Sequence, residues 1–193
     1  MKLALLGYGG HAREVMFQMS KELPCFVSDD FVCENTLPLS KFDPEQYKLI
    51  VAVGDSKTRK HLVDNLPSST QFFTFIHPTA ITSRFSGTTI GEGSFIGAYS
   101  IITTNIKLGK HTLLNRGNHI GHDSIIGDYF SAMPGAIVSG NVTMGNNVYM
   151  GTNSTIREEI TITNNVIIGL NSGVVKNINQ EGTYVGLPAK KIK

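Results

Sequence analysis

From Ile90 onward an aliphatic residue returns every sixth position without slipping phase: Ile90, Ile96, Ile102, Leu108, Leu114, Ile120, Ile126, Ala132, Val138, Met144, Met150, Ile156, Ile162, Ile168 and Val174. Glycine often follows directly, as at Gly91, Gly109, Gly121 and Gly145. A small or β-branched residue is common four positions after each start, as at Ser94, Thr112, Ser124 and Val142. A strict period of six fits neither an amphipathic helix nor an alternating strand. It fits a parallel β-helix built from hexapeptides. Three hexads make one triangular coil, so residues eighteen apart stack and the fifteen hexads make five coils. The aliphatic residue points inward. Glycine beside it suits a corner where a Cβ would clash or where φ is positive. A prism this narrow has a thin core, so it needs several coils and oligomer contacts to be stable.

The remaining residues read as a separate α/β domain. The chain has 193 residues, enough for two small domains, here expected at 1–80 and 81–193. Lys2 to Leu6 reads as a strand, followed by the turn Gly7-Tyr8-Gly9-Gly10-His11-Ala12 and a helix from Arg13 to Met19. Strand, glycine turn, helix is the first unit of a nucleotide-binding fold, in which a helix N-terminus faces an anion. Cys25 to Val27 reads as a second strand ending at Asp29 and Asp30, where such folds grip a ribose or base. Lys48 to Val53 reads as a third strand, followed by Gly54, then a helix from about Ser56 to Leu66. Phe72 to Ile76 reads as a fourth strand. The domain is half the size of a full dinucleotide domain, which argues against hydride transfer and favours a mononucleotide or nucleotide sugar.

Composition narrows the partners. The net charge of +2 is too mild for nucleic acid or an anionic membrane as the main partner. Two cysteines, Cys25 and Cys33, read as reduced thiols of a cytoplasmic protein. No segment is long and apolar enough to span a bilayer, and the apolar start before the glycines reads as a buried strand rather than a signal peptide.

The G-x-G-G-H-A turn, the hexapeptide array and the terminal Val185-Gly186-Leu187-Pro188-Ala189-Lys190 together resemble one family over essentially the whole chain. It is the group of sialic-acid O-acetyltransferases and bacillosamine-pathway N-acetyltransferases. The resemblance implies a Rossmann-like domain followed by a left-handed β-helix, a homotrimer, and acetyl-CoA as co-substrate with no metal. It implies acetylation of the 4-amino group of a UDP- or dTDP-linked 4-amino-4,6-dideoxy sugar. Sugar O-acetylation and GDP-perosamine N-acetylation are the alternatives.

Acetyl transfer to an amine needs a base, a donor for the oxyanion and a placed thioester. The stretch from Asn115 to Asp123 is the richest polar run in the array and holds His119 and His122. By family position His122 is the base, since imidazole titrates near neutrality, and Asp123 is its acidic neighbour. Adjacent residues of a regular strand face opposite ways, so that pairing requires a bend. The resemblance assigns the Gly140 N–H as oxyanion donor and Asn115 as a sugar contact. It sets nucleotide-sugar contacts at Gly9, Gly10, His11, Asp29, Asp30 and Gly54. CoA contacts are expected at Ser131, Thr152, Leu170 and Lys190. Ser131 stands where relatives carry a histidine. His77 reads as the domain junction, and His111 as structural.

Overall fold

The computed structural model describes residues 1–82 and 87–193. The N-terminal unit is a five-stranded parallel sheet of β1 (Lys2–Leu6), β2 (Cys25–Val27), β3 (Leu37–Pro38), β4 (Tyr47–Val51) and β5 (Gln71–Phe72), ordered β3-β2-β1-β4-β5. Helices α1 (Gly10–Met19) and α2 (Ser56–Asp64) cross between strands. Strand β1 runs Leu-Ala-Leu-Leu, and its last three residues are buried, as befits a parallel strand covered on both faces. Asp55 caps α2 by accepting the Thr58 N–H at 2.8 Å, which explains why that helix starts where it does.

Strand β3 is not among the four strands expected, and two further elements differ from expectation. Helix α1 begins at Gly10 rather than Arg13, directly after the N-cap Gly9. The segment Phe72 to Ile76 is not one strand. Its first part pairs with β4, while β6 (Phe75–Ile76) pairs with Phe95–Ile96 of the repeat array. The chain leaves one sheet at Phe72 and opens the next within three residues.

The repeat array is a three-faced prism. Face one stacks Phe95–Ile96, Leu113–Leu114, Ser131–Ala132, Tyr149–Met150 and Val166–Ile168. Face two stacks Ile101–Ile102, His119–Ile120, Ile137–Val138, Thr155–Ile156 and Gly173–Val174. Face three stacks Thr89–Ile90, Lys107–Leu108, Ile125–Ile126, Thr143–Met144 and Thr161–Ile162. Every pairing among these fifteen strands joins residues eighteen apart, as in His119 opposite Ile101 and Ile137. The second residue of each pair points inward and forms the core: Ile96, Leu114, Ile120 and Val138 are all within 1% of full burial. Val185 and its neighbours extend face one, and Lys190–Lys191 returns antiparallel on Gly182–Val185.

The corners carry a second repeat. Three positions after each aliphatic residue from Ile90 to Ile168 the backbone is left-handed, as at Asn105 (φ 54°), Asn141, Asn147, Asn153, Asn165 and Asn171. Asn and Gly tolerate that region best, which explains their recurrence there. The glycine directly after the aliphatic residue has a different cause. A Cβ on Gly109 would lie 2.5 Å from the Gly127 carbonyl carbon, so coil stacking excludes it.

The first residue of each pair points out, and the faces differ in what covers them. On face one Phe95 and Leu113 are 2% exposed and Ser131 is fully buried, because the N-terminal unit docks there. Ile137 on face two and Ile125 on face three remain open in a single chain.

Candidate active site

His122 and Asp123 occupy the corner between faces two and three, across the prism from the docked N-terminal unit. Asp123 sits at the left-handed position with φ 59°. That turn is the bend the pair requires: it swings the carboxylate back to its neighbour, and His122 Nδ1 lies 2.8 Å from Asp123 Oδ2. The other carboxylate oxygen accepts from Asn105 Nδ2 at 2.6 Å, one coil earlier on the same corner. The Asn105 amide first, and His122 second, hold the Asp123 carboxyl below the usual carboxylate range. The carboxylate is therefore ionised at neutral pH, and its bond to Nδ1 favours the tautomer that leaves Nε2 unprotonated.

Gly140 lies one coil further along this corner. A Cβ there would fall 2.5 Å from His122 Nε2, so the imidazole rests on the space a side chain would occupy. The Gly140 N–H has no acceptor among the described residues. The corner between faces three and one behaves otherwise. There the Lys110, Asp128 and Asn146 N–H groups are each capped by a side-chain oxygen of the next coil, from Asp128, Asn146 and Asn164. An uncapped N–H close to a ring nitrogen suits an oxyanion site.

Three expected site residues are instead consumed by the seam between the two units. Asn115 is 2% exposed; its amide donates to Glu14 at 3.1 Å and its oxygen accepts the Arg116 N–H. It is not open to a sugar, because Glu14 of α1 covers it. Ser131 is fully buried on face one, where its hydroxyl bonds the Gly54 carbonyl, Ser56 and Arg59. With those partners it has no path to CoA, which corrects the cofactor contact expected of it. His11 packs edge-on against Phe95 with a ring-centroid distance of 6.2 Å, and its Nε2 is buried. It turns into the seam, away from the cleft at the glycine turn. Burial first, and the nearby Arg59 charge second, lower its pKa to about 4, so it is neutral there.

Arg59 organises this seam, although by sequence it reads only as a polar residue in a helix. It is 2% exposed and donates to the carbonyls of Val53, Gly54, His111, Tyr129 and Phe130 and to the Ser131 hydroxyl. A planar guanidinium with five donors suits a buried fork of carbonyls. His111 is structural as expected: buried, stacked on Tyr129 at 5.1 Å and edge-on to Phe72.

The glycine turn opens a cleft of about 350 Å³, lined by Gly7, Tyr8, Gly9, Ser28, Phe31 and Leu62 among others. Gly9 faces open space where a Cβ would stand, and Gly10 starts α1 beside it. Asp29 and Asp30 form the short turn after β2, and both are exposed. Asp29 is partly spoken for, since Oδ1 accepts the Ser40 N–H at 3.0 Å. Gly54 lies at the seam, lining a smaller hollow with Asp55, Met133, Tyr149 and Ile167. Thr152 and Leu170 stack on the corner between faces one and two, a different corner from His122, and Leu170 is 70% exposed. Lys190 lies exposed on the terminal strand. Among the described residues no group of three or more His, Cys, Asp and Glu side chains could hold a metal ion. Among them, too, no helix is long and apolar enough to cross a membrane.

The architecture is an α/β unit docked on a hexapeptide-repeat β-helix. Residues 2–66 match the PglD N-terminal domain. A GDP-perosamine N-acetyltransferase of Escherichia coli O157:H7 is 30% identical over 111 residues, 57% of this chain and 49% of that protein. The chain thus spans about half the length of this curated relative. The acetyltransferase domain of PglB from Neisseria gonorrhoeae FA1090, solved with acetyl coenzyme A, is 27% identical with a TM-score of 0.86, covering 99% of this chain and 98% of that one. PerB from Caulobacter crescentus, solved with CoA and GDP-perosamine, shares the fold at 23% identity and a TM-score of 0.88, covering 100% of this chain and 98% of that one. Over its whole length the chain is similar in fold to these sugar N-acetyltransferases, and its prism is a left-handed β-helix of the hexapeptide-repeat type.

Proposed function

We propose that this protein transfers the acetyl group of acetyl-CoA to the amine of a nucleotide-linked amino sugar. The observation that carries the reading is the exposed corner where the His122–Asp123 pair meets the uncapped Gly140 N–H. The unprotonated amine attacks the thioester carbonyl. An N–C bond forms, the Gly140 N–H receives the oxyanion, and His122 Nε2 takes the amine proton. The C–S bond then breaks, and the proton passes to the departing sulfur. Asp123 stays ionised and stabilises the imidazolium.

The nucleotide sugar binds at Gly9, Gly10 and Asp30, its phosphates at the α1 N-terminus. That cleft and His122 lie on opposite sides of one prism. The sugar therefore reaches the His122 of a second copy, and the active unit is a homotrimer packed on the open faces bearing Ile125 and Ile137. CoA runs between copies, past Thr152 and Leu170 of one and His122 of the next, with Lys190 near its phosphates. Both cysteines are free, in keeping with a cytoplasmic location.

The sugar is a 4-amino-4,6-dideoxy sugar on UDP or dTDP. The relatives named for GDP-perosamine support the guanine-linked acceptor as the second reading. A thiol-release assay with acetyl-CoA against UDP-, dTDP- and GDP-linked 4-amino sugars and sialic acid decides between them. One amino sugar is turned over by wild type, and His122→Ala loses about 10²- to 10⁴-fold in kcat while remaining folded. Equal activity in that variant would remove His122 as the base. Release of CoA with no amino sugar in the panel would defeat the N-acetyl reading.

A further inference from the structure

We infer that Asn105 is a positioning residue for the acetyl-transfer site, locking Asp123 so that His122 keeps its proton on Nδ1 and its lone pair on Nε2. This rests on His122 acting as the base.

The geometry forms one line across two coils. Asn105 Nδ2 donates to Asp123 Oδ1 at 2.6 Å, and Asp123 Oδ2 faces His122 Nδ1 at 2.8 Å. Asp123 is an exposed side chain at a corner, and its neighbour's ring alone would not hold it. The carboxylate can rotate about its own bonds, and water competes for both oxygens. Asn105 removes that freedom by engaging the oxygen that His122 does not use. Carboxylate–donor bonds this short are the strong, charge-assisted kind. Asn105 is also fixed at its own root, in the left-handed conformation with φ 54°, eighteen residues and one coil before Asp123.

A purely architectural ladder exists elsewhere for comparison. Asn147 Nδ2 donates to Asn165 Oδ1 at 3.3 Å between the equivalent left-handed positions of another corner. That ladder continues from Asn165 Nδ2 to Glu181 Oε2 at 3.2 Å and meets no histidine ring. Among the described residues, the ladder on the His122 corner is the one whose carboxylate also bonds an imidazole. Partners behind a ligating or catalytic histidine commonly fix its tautomer in this way.

The test uses two variants that suit a left-handed backbone. Asn105→Gly deletes the donor, and Asn105→Asp keeps the shape while offering no donor once ionised. Protein labelled with ¹⁵N histidine reports the His122 tautomer from its ring nitrogen shifts, whether or not any acceptor is turned over. In the neutral form of the ring, wild type shows one tautomer, with the proton on Nδ1. Both variants show a mixture at neutral pH, with about tenfold lower kcat, unchanged KM for acetyl-CoA and unchanged melting temperature. A single unchanged tautomer in both variants overturns the proposal. A mixed tautomer without any loss of kcat upholds the lock and refutes His122 as the base, so the two failures are distinguishable.

Discussion

Two polar clusters of similar composition have opposite fates in this molecule. Arg59, Ser131, Asn115 and His11 lie in the seam between the α/β unit and face one of the prism. His122, Asp123 and Asn105 lie on the corner facing away from it. In the seam Arg59 and Ser131 are nearly or wholly without solvent contact, and six acceptors satisfy the guanidinium. At the corner the His122 and Asp123 side chains are 57% and 44% exposed, and the Gly140 N–H beside them is uncapped. A buried polar group must be paired or it destabilises the fold, so the seam spends its hydrogen bonds on architecture. Water can satisfy an exposed group, so the corner is free to keep a lone pair and an N–H for a substrate. Polar richness alone does not mark a site; saturation separates the two clusters.

The largest effect expected from breaking this contrast is in the seam. Arg59→Met removes a donor from six acceptors; Gly54, Phe130 and Ser131 keep another, while the Val53, His111 and Tyr129 carbonyls lose theirs, at about 1–3 kcal/mol for each group that water cannot reach. Relief of the buried charge offsets part of this, and a net loss of about 3–4 kcal/mol is expected in denaturant melts. A loss below 1 kcal/mol would mean that the seam is held by apolar contact alone. Gly140→Ala tests the corner. The new methyl meets His122 Nε2, so the ring must move, and kcat should fall roughly hundredfold, about 2.7 kcal/mol in the barrier, with stability nearly unchanged. Matching losses of stability and activity would make Gly140 a folding residue.

Mild acid gives a smaller effect confined to the seam. Burial, with the Arg59 charge second, lowers the pKa of both His11 and His111 from 6.5 to about 4. The unfolded chain therefore binds protons that the folded chain refuses between pH 6.5 and 4. The contribution of these neutral histidines is fully present above 6.5, falls as pH drops through that window, and changes no further below 4. At pH 5.5 the loss is roughly 1 kcal/mol for each histidine. Thermal melts at pH 7.5 and 5.5 measure it. Replacing His111 with Phe should flatten the pH dependence by about half, and an unchanged slope would point to other groups.

Much of the prism is legible in the chain because its repeat is local. An inward aliphatic residue every sixth position states the coil, and recurring Asn states the left-handed corner. His122 stands out by its polar neighbourhood and its family position. Asn105 does not, because the same array places Asn at several corners for backbone reasons. Asn115 and Ser131 misled for a related reason. Their chemical types suit substrate and cofactor contacts, and nothing local says that α1 and α2 cover them. The split of Phe72–Ile76 between two sheets was hidden because both halves are apolar and short.

The sequence by itself determined the period of six, the glycine turn after a strand, and the adjacency of a histidine and an aspartate. These follow from neighbours along the chain or from a fixed stacking interval. Only the tertiary structure decided which polar residues face water. It set the N-terminal unit on face one, buried Ser131 and Asn115, and gave Arg59 its carbonyls from residues up to 71 positions away. It also bent the backbone at Asp123 so that a carboxylate turns back to the preceding imidazole. Exposure and saturation are properties of packed surfaces, and a linear pattern carries no record of which surface will be covered.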